Sequence, residues 1–380
     1  MKKAFVAGAA TAALFAPLAH AQSSVTLYGL IDAGIIYTNN AGGASLFRLN
    51  SGSLNGSRFG LRGTEDLGGG VKALFVLENG YNVNNGSLGQ DGRLFGRHAY
   101  FGLTRNGIGT LTLGRQYDTM VDFVAPLSAT AGDFGDQSFG HVFDNDNLNH
   151  TLRINNAVKY TSDTYAGFKV GAMYAFSNAT NFGSNRAYSL AASYTNGPLK
   201  LAGAYLQMNG TKGTTNASPG ATDAVEGKNL NQGGWSVGAN RMRAYGGGIG
   251  YVFGPATVGF VFTRSQYDNA GAFGSTGQIS FNNYDVNVRY AVTPAFNVGA
   301  AYVYTDGSVS APDSQHGTDP KWHQVDLQAV YKLSRRTDVY AEAMYQHASG
   351  RGYRAFINNS GGASSTPNQI VGTIGMRTRF

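Results

Sequence analysis

Apolar and polar residues alternate along much of this chain with a period of two. In the segment 325–333, Val325 and Leu327 fall on one face of an extended chain and Asp326 falls on the other. Such a period is typical of a β-strand whose two faces meet different environments. The same alternation recurs elsewhere, for example in segments 284–292 and 370–380. About sixteen such segments fit between Val25 and Phe380, each near the ~10 residues that a tilted strand needs to cross a bilayer.

The connectors between these segments alternate in length. Short turns are predicted at 66–70, 106–107, 196–198, 254–255 and 334–336. Longer polar loops are predicted at 39–55, 117–152, 210–239, 269–280, 307–321 and 349–368. This rhythm predicts an all-β fold, a 16-stranded antiparallel transmembrane β-barrel with short periplasmic turns and long external loops. A soluble β-sandwich remains the alternative, although its connectors have no reason to alternate in length.

The N-terminus has the features of an export signal. Lys2 and Lys3 precede an apolar run that ends near Leu18, and small residues follow at Ala19 and Ala21. This pattern predicts a secretory signal peptide at 1–21, which leaves 22–380 as one barrel domain. The run is too short for a helix across a ~30 Å bilayer, and no other stretch approaches the ~20 apolar residues required.

Composition excludes several classes of function. The net charge is +7 but charged residues are only 13% of the chain, which is too sparse for the basic stripe of a nucleic-acid-binding protein. Cysteine is absent, so disulfides and a cysteine-ligated zinc site are excluded. The run Asp144–Asn147 begins like a calcium loop, but Leu148 stands where the third ligand belongs. We therefore expect no metal site, no cofactor and no nucleic-acid partner.

Several segments carry a family resemblance. They are SVTLYGLIDAGI (24–35), SRFGLRGTEDLGGG (57–70), FGRHAYFGL (95–103), GTLTLGRQY (109–117), NAVKYTSDTYAGF (156–168) and the terminal Phe380. In this order they resemble the general porins of Gram-negative outer membranes. The resemblance implies a homotrimer in the outer membrane, with a third external loop folded into the pore. It also implies contact with lipopolysaccharide, export through the barrel-assembly machinery, and passive diffusion of ions and small hydrophilic solutes.

The candidate site is a pore constriction with a basic wall. Strand parity directs Arg58 and Arg62 into the lumen, because Phe59 and Leu61 occupy the opposite face. The resemblance adds Arg97 and Arg153 to this wall. Charged rows beside a narrow aqueous passage bias which ions enter.

The inward loop is expected to supply acidic residues opposite the arginines. The candidates within 117–152 are Asp118, Asp122, Asp133 and Asp136, and Asp133 matches the family's acidic tip best. Because the net charge is basic, we expect weak anion selectivity.

Two further residues and three alternatives complete the prediction. Phe380 resembles the C-terminal assembly signal of barrel proteins, or it is one more aromatic residue at the membrane interface. His98 is predicted on the outward face together with Tyr100. A substrate-specific channel, an outer-membrane barrel enzyme with a Ser/His or Asp/His pair, and an adhesin role for the loops remain open.

Overall fold

The chain folds into one closed antiparallel β-barrel. The computed structural model describes residues 24–131, 137–178, 180, 185–209, 231–232, 235–236 and 239–380. The strands are β1 (Ser24–Ala41), β2 (Ala44–Ser51), β3 (Arg58–Gly68), β4 (Val71–Gly80), β5 (His98–Arg105), β6 (Gly109–Gln116), β7 (Ile154–Ser162), β8 (Phe168–Ala175), β9 (Ala187–Asn196), β10 (Leu199–Asn209), β11 (Asn231–Gln232), β12 (Trp235–Ser236), β13 (Arg241–Phe253), β14 (Ala256–Asp268), β15 (Ile279–Ala291), β16 (Phe296–Val309), β17 (Lys321–Lys332), β18 (Thr337–Ser349) and β19 (Asn368–Arg379).

The first and last strands close the barrel. β1 pairs with β19 from Leu30↔Arg379 to Thr38↔Val371. Elsewhere around the barrel each strand pairs with its neighbours in the chain, whereas β11 and β12 pair only with each other. The result is the predicted sixteen-position barrel, in which β2 and β3 share one position. Closure leaves no sheet edge, so the strands satisfy their backbone hydrogen bonds within the barrel.

The break between β2 and β3 corrects the predicted loop at 39–55. That segment contains the end of β1, a turn at 42–43 and all of β2. At the break, the backbone N–H groups of Ser53 and Asn55 donate to the carboxylate of Asp32, at 3.1 and 3.0 Å. The Tyr340 hydroxyl donates to the same carboxylate at 2.7 Å. Asp32 therefore holds the interrupted strand from inside the barrel.

Burial distinguishes the water-facing side of the barrel strands from their lipid-facing side. On β17, Val325 and Leu327 are 44% and 52% exposed, whereas Asp326 is fully buried. β19 likewise exposes an apolar residue and buries a charged one, with Ile374 71% exposed and Arg377 2% exposed. An apolar outside around a polar inside is the arrangement of a membrane barrel.

The connectors follow the predicted rhythm except at 42–43, where an external connection is short. Long connections at 81–97, 117–153, 269–278, 310–320 and 350–367 alternate with short turns such as 106–108, 197–198 and 254–255. Within the described ranges, no helix has the length and apolar character needed to cross a membrane.

Candidate constriction site

The third external loop, residues 117–153, folds into the barrel as expected. It starts with a π-helical turn at Met120–Val124 and returns to the wall at β7. Along its course, the backbone N–H of Ala129 donates to Asp285 of β15 at 2.8 Å. Farther on, Gln324 of β17 donates to the Ser138 carbonyl at 2.9 Å. These contacts with inward-facing strand residues hold the loop across the lumen.

A buried polar cluster anchors the loop to β14 and β15. His141 Nδ1 lies 2.6 Å from Asp146 Oδ2, and its Nε2 lies 3.7 Å from Asp285 Oδ2. Asp146 also accepts a hydrogen bond from the Thr263 hydroxyl. Burial alone would lower the pKa of His141, but the two carboxylates raise it to about 10. The cationic histidine therefore neutralises carboxylates from both the loop and the wall.

The run Asp144–Asn147 forms a turn within the loop. Asp144 accepts hydrogen bonds from the backbone N–H groups of Asn149 and Thr151, at 2.8 and 3.0 Å. Burial, together with the charge of Asp146, raises the pKa of Asp144 to about 7. In the part of the chain that the structure describes, no group of His, Asp or Glu side chains is arranged to hold a metal ion.

A basic cluster converges on Tyr117 where the loop leaves β6. Arg97 donates from Nη2 to the Tyr117 hydroxyl at 2.8 Å. The Arg153 guanidinium carbon lies 5.4 Å from the centre of the Tyr117 ring. The His150 ring stacks on Tyr117, with ring centres 5.2 Å apart. Burial, and then the charges of Arg97, Arg153 and Arg58, lower the pKa of His150 well below its usual value, so this ring is neutral.

The other two predicted arginines lie on β3 and face the lumen. Phe59 and Leu61 are each 37% exposed on the outer face, which directs Arg58 and Arg62 inward. Arg62 lies over the ring of Tyr28 on β1, with its guanidinium carbon 5.2 Å from the ring centre. The structure thus places all four predicted arginines on the interior of one part of the wall.

Glu78 is a member of this cluster that the sequence analysis missed. Its Oε1 accepts a hydrogen bond from Arg97 Nε at 2.7 Å, and its Oε2 accepts one from the Tyr28 hydroxyl at 3.0 Å. Glu78 lies opposite Gly60 on β3, so its inward position could have been derived from strand parity. It is buried and therefore fixes Arg97 rather than facing open water.

The predicted outward position of His98 is wrong. Its ring centre lies 4.6 Å from that of Tyr117, and its Nδ1 lies 3.7 Å from Glu78. The outward residues of this strand are Phe101 and Leu103, which are 64% and 51% exposed. His98 and Tyr100 do share a face, as predicted, but that face is the lumen.

The described acidic candidates do not form a row opposite the arginines. Asp118 is fully buried and accepts hydrogen bonds from the Met120 N–H at 2.7 Å and Asn147 Nδ2 at 2.6 Å, so it stabilises the loop. Asp122 faces the basic side, where Lys159 Nζ lies 2.6 Å from its Oδ2. Asp133 and Asp136 lie outside the described residues.

Relatives of known name match the chain over its length. It is 33% identical to an outer membrane porin protein of Bordetella pertussis, with all of both chains covered. It is 30% identical to outer membrane porin protein 32 of Delftia acidovorans, again with full coverage of both.

Comparison with solved structures agrees with the similarity to these sequences. The barrel superimposes on an anion-selective porin from Comamonas acidovorans with a TM-score of 0.69 and 25% identity, covering 94% of this chain and 100% of that one. The sequence profile of the Gram-negative porins matches residues 7–351. With its lumen lined by polar side chains, its outer face apolar and its third loop folded inward, this chain belongs to the Gram-negative porin family and forms a passive channel in the outer membrane.

Proposed function

We propose that this porin passes small anions more readily than cations, and that the basic cluster beside the inward loop causes the preference. One observation carries the proposal. Four arginines and Lys159 line this part of the lumen, while the described carboxylates there, Glu78 and Asp122, are each paired with a cation. Surplus positive charge in a narrow passage raises the local concentration of anions.

Arg62 is exposed and faces permeating ions most directly, and Arg58 lies half-buried beside it on β3. Arg97 and Arg153 are held by Tyr117 and contribute a fixed positive potential behind it. Tyr117 responds to that potential: burial alone would raise its pKa, but the charges of Arg153, Arg97 and Arg58 lower it. The superposition on a porin described as anion-selective also supports a preference for anions.

The proposal includes the expected assembly and export. The chain acts as a homotrimer among lipopolysaccharide molecules, reaches the membrane after loss of residues 1–21, and is inserted by the barrel-assembly machinery. It assigns no catalytic residue, and transport requires no cofactor. Light scattering of the detergent-solubilised protein, corrected for bound detergent, tests the trimer directly.

The sign of the reversal potential tests the selectivity. Purified protein is inserted into a planar bilayer that separates concentrated from dilute KCl. An anion-preferring channel gives a potential of the sign set by chloride, whereas a potential of the potassium sign overturns the proposal.

A further inference from the structure

A cavity lies in the lumen between the inward loop and the short periplasmic turns. Its volume is about 570 Å³, within the roughly 300–1,000 Å³ of small-molecule sites. The periplasmic side of the loop covers the cavity as an apolar roof, which is formed by Phe123, Pro126 and Leu127. Inward-facing residues of strands β5 to β10 form its wall.

Three lysines from neighbouring strands line this cavity: Lys159, Lys169 and Lys200. Parity explains their direction, because Phe168 and Leu201 beside them are 58% and 38% exposed on the lipid side. Lys169 is paired in register with Ser193, and Lys200 with Thr195, so both lysines border the same stretch of β9.

Hydroxyl groups fill the wall between the lysines. Five serine and threonine hydroxyls line the cavity, at Thr110, Thr112, Thr161, Ser193 and Thr195. Of these, Thr110 and Thr112 already donate to Thr104 and Gln116, at 2.8 and 2.7 Å. A hydroxyl donates readily to an oxyanion, and together with ammonium groups it provides several donors from different directions.

The charges of the cavity do not cancel. Lys159 is paired with Asp122 at 2.6 Å. Among the described residues, no carboxylate forms an ion pair with Lys169 or Lys200, and the Lys169 ammonium lies 5.8 Å from the centre of the Phe123 ring. The surplus is therefore two positive charges beneath an apolar roof.

We infer that this cavity is a binding subsite for a small organic anion with two negative charges, such as a phosphate monoester. The anionic group lies between Lys169 and Lys200 and accepts hydrogen bonds from the hydroxyls of Ser193 and Thr195. The carbon skeleton packs against Phe123 and Leu127 in the roof.

The subsite extends the proposed anion preference, on which it rests, to a class of solute. A smaller cavity of about 260 Å³, lined by Arg97 and Arg153, lies on the other side of the basic cluster. An organic anion that has passed the arginines thus reaches a second positively charged site before it enters the periplasm. Moderate binding at successive sites favours entry of the anion into the channel and still allows its release.

Block of chloride current by butyl phosphate tests the inference. The test uses intact channels in about 0.1 M KCl, where charges are screened over about 10 Å, and about pH 8, where a phosphate monoester is doubly charged. The half-blocking concentration is compared for wild type, Lys169→Gln/Lys200→Gln and the control Lys332→Gln. Lys332 lines a different cavity, beside Arg289 and Arg379, so the control also removes a lysine from the lumen.

The double variant should need at least about tenfold more butyl phosphate for half-block, since two unit charges about 4 Å apart in a watery site attract by about 1 kcal/mol, or about fivefold in affinity, and the phosphate carries two charges. The control should change by less than about twofold, and Phe123→Ala should weaken block by butyl phosphate but not by inorganic phosphate. Equal half-block in wild type and double variant overturns the inference. The wild-type reversal potential in KCl alone reports separately on the anion preference, and a Lys169→Arg/Lys200→Arg variant that retains block excludes misfolding as the cause of a loss.

Discussion

Arg97 donates to the Tyr117 hydroxyl at 2.8 Å, and this bond joins the end of the connection 81–97 to the loop that narrows the pore. Arg97 is also bound to Glu78 on the neighbouring strand, at 2.7 Å. The guanidinium therefore links three parts of the chain that are distant in sequence. Because it is almost fully buried, its position is set by these partners rather than by water.

Tyr117→Phe should loosen the constriction without removing a charge. The substitution leaves the Nη2 group of Arg97 without its acceptor inside the wall, and an unsatisfied buried donor costs about 1–3 kcal/mol, with charged donors at the upper end or above. We expect the free energy of unfolding in urea to fall by about that amount and the open-channel current noise to rise. Tyr100→Phe, on the same lumen face, is the matched control and should behave like wild type. Equal stability of the two variants would contradict the proposed link.

The anchor of the inward loop should weaken at high pH. The pKa of His141 is raised from 6.5 to about 10 in the folded loop, so folding of the loop is coupled to uptake of a proton. That stabilisation is complete below about pH 6.5 and is lost as the pH rises through about 10. Protonation of Asp144 changes the stability of the loop in the same direction but at lower pH, because the pKa of Asp144 is raised from 3.8 to about 7.

Single-channel recordings at pH 6 and pH 10 measure this effect. Wild type should show severalfold more closures and more current noise at pH 10, when about half of the His141 rings have lost the charge that neutralises Asp146 and Asp285. His141→Gln should show similar noise at both values. A wild-type channel that is equally quiet at both pH values would rule out the histidine anchor.

Gly29→Val should impair assembly by displacing the C-terminal ring. Gly29 and Phe380 exchange backbone hydrogen bonds at 3.0 Å, and a Cβ at Gly29 would lie 2.3 Å from Cζ of Phe380 and 2.7 Å from the backbone carbonyl oxygen of Arg58. The ring must therefore move, and the terminal aromatic is the predicted assembly signal. We expect a severalfold lower yield of folded barrel, measured by heat-modifiable mobility of outer-membrane fractions.

Gly372→Val on the last strand is the control for this effect. A Cβ there has no neighbour closer than 3.9 Å, and the residue shares the outward face with Ile374. Its folded yield should match wild type. If both variants assemble equally well, the contact between Gly29 and Phe380 has no part in assembly.

The sequence predicted the barrel wall well, because a period of two is a local property of each strand. Val325 and Asp326 were assigned to opposite faces, and their burial confirms this. The prediction failed where the strand is interrupted: the polar composition of 39–55 indicated a loop, yet Asp32 holds this segment in the wall through backbone contacts. A carboxylate that satisfies backbone donors from another strand leaves no signal in local periodicity.

The candidate site was predictable in part for the same reason. Arg58 and Arg62 follow from parity within β3. The partnership of Arg97 with Glu78 depends on the register between β4 and the chain before β5, which one sequence does not display. The acidic candidates show the same limit, since burial of Asp118 and pairing of Asp122 depend on how the loop folds.

The most direct test of the account is the reversal potential of Arg58→Gln/Arg62→Gln in a KCl gradient, compared with wild type and with Arg264→Gln. Arg264 lies on β14 with Phe260, which is 41% exposed on the outer face, so this control removes an arginine outside the lumen. The account predicts that the double variant loses most of the chloride preference while the control retains it. An unchanged chloride-to-potassium permeability ratio in the double variant would contradict it.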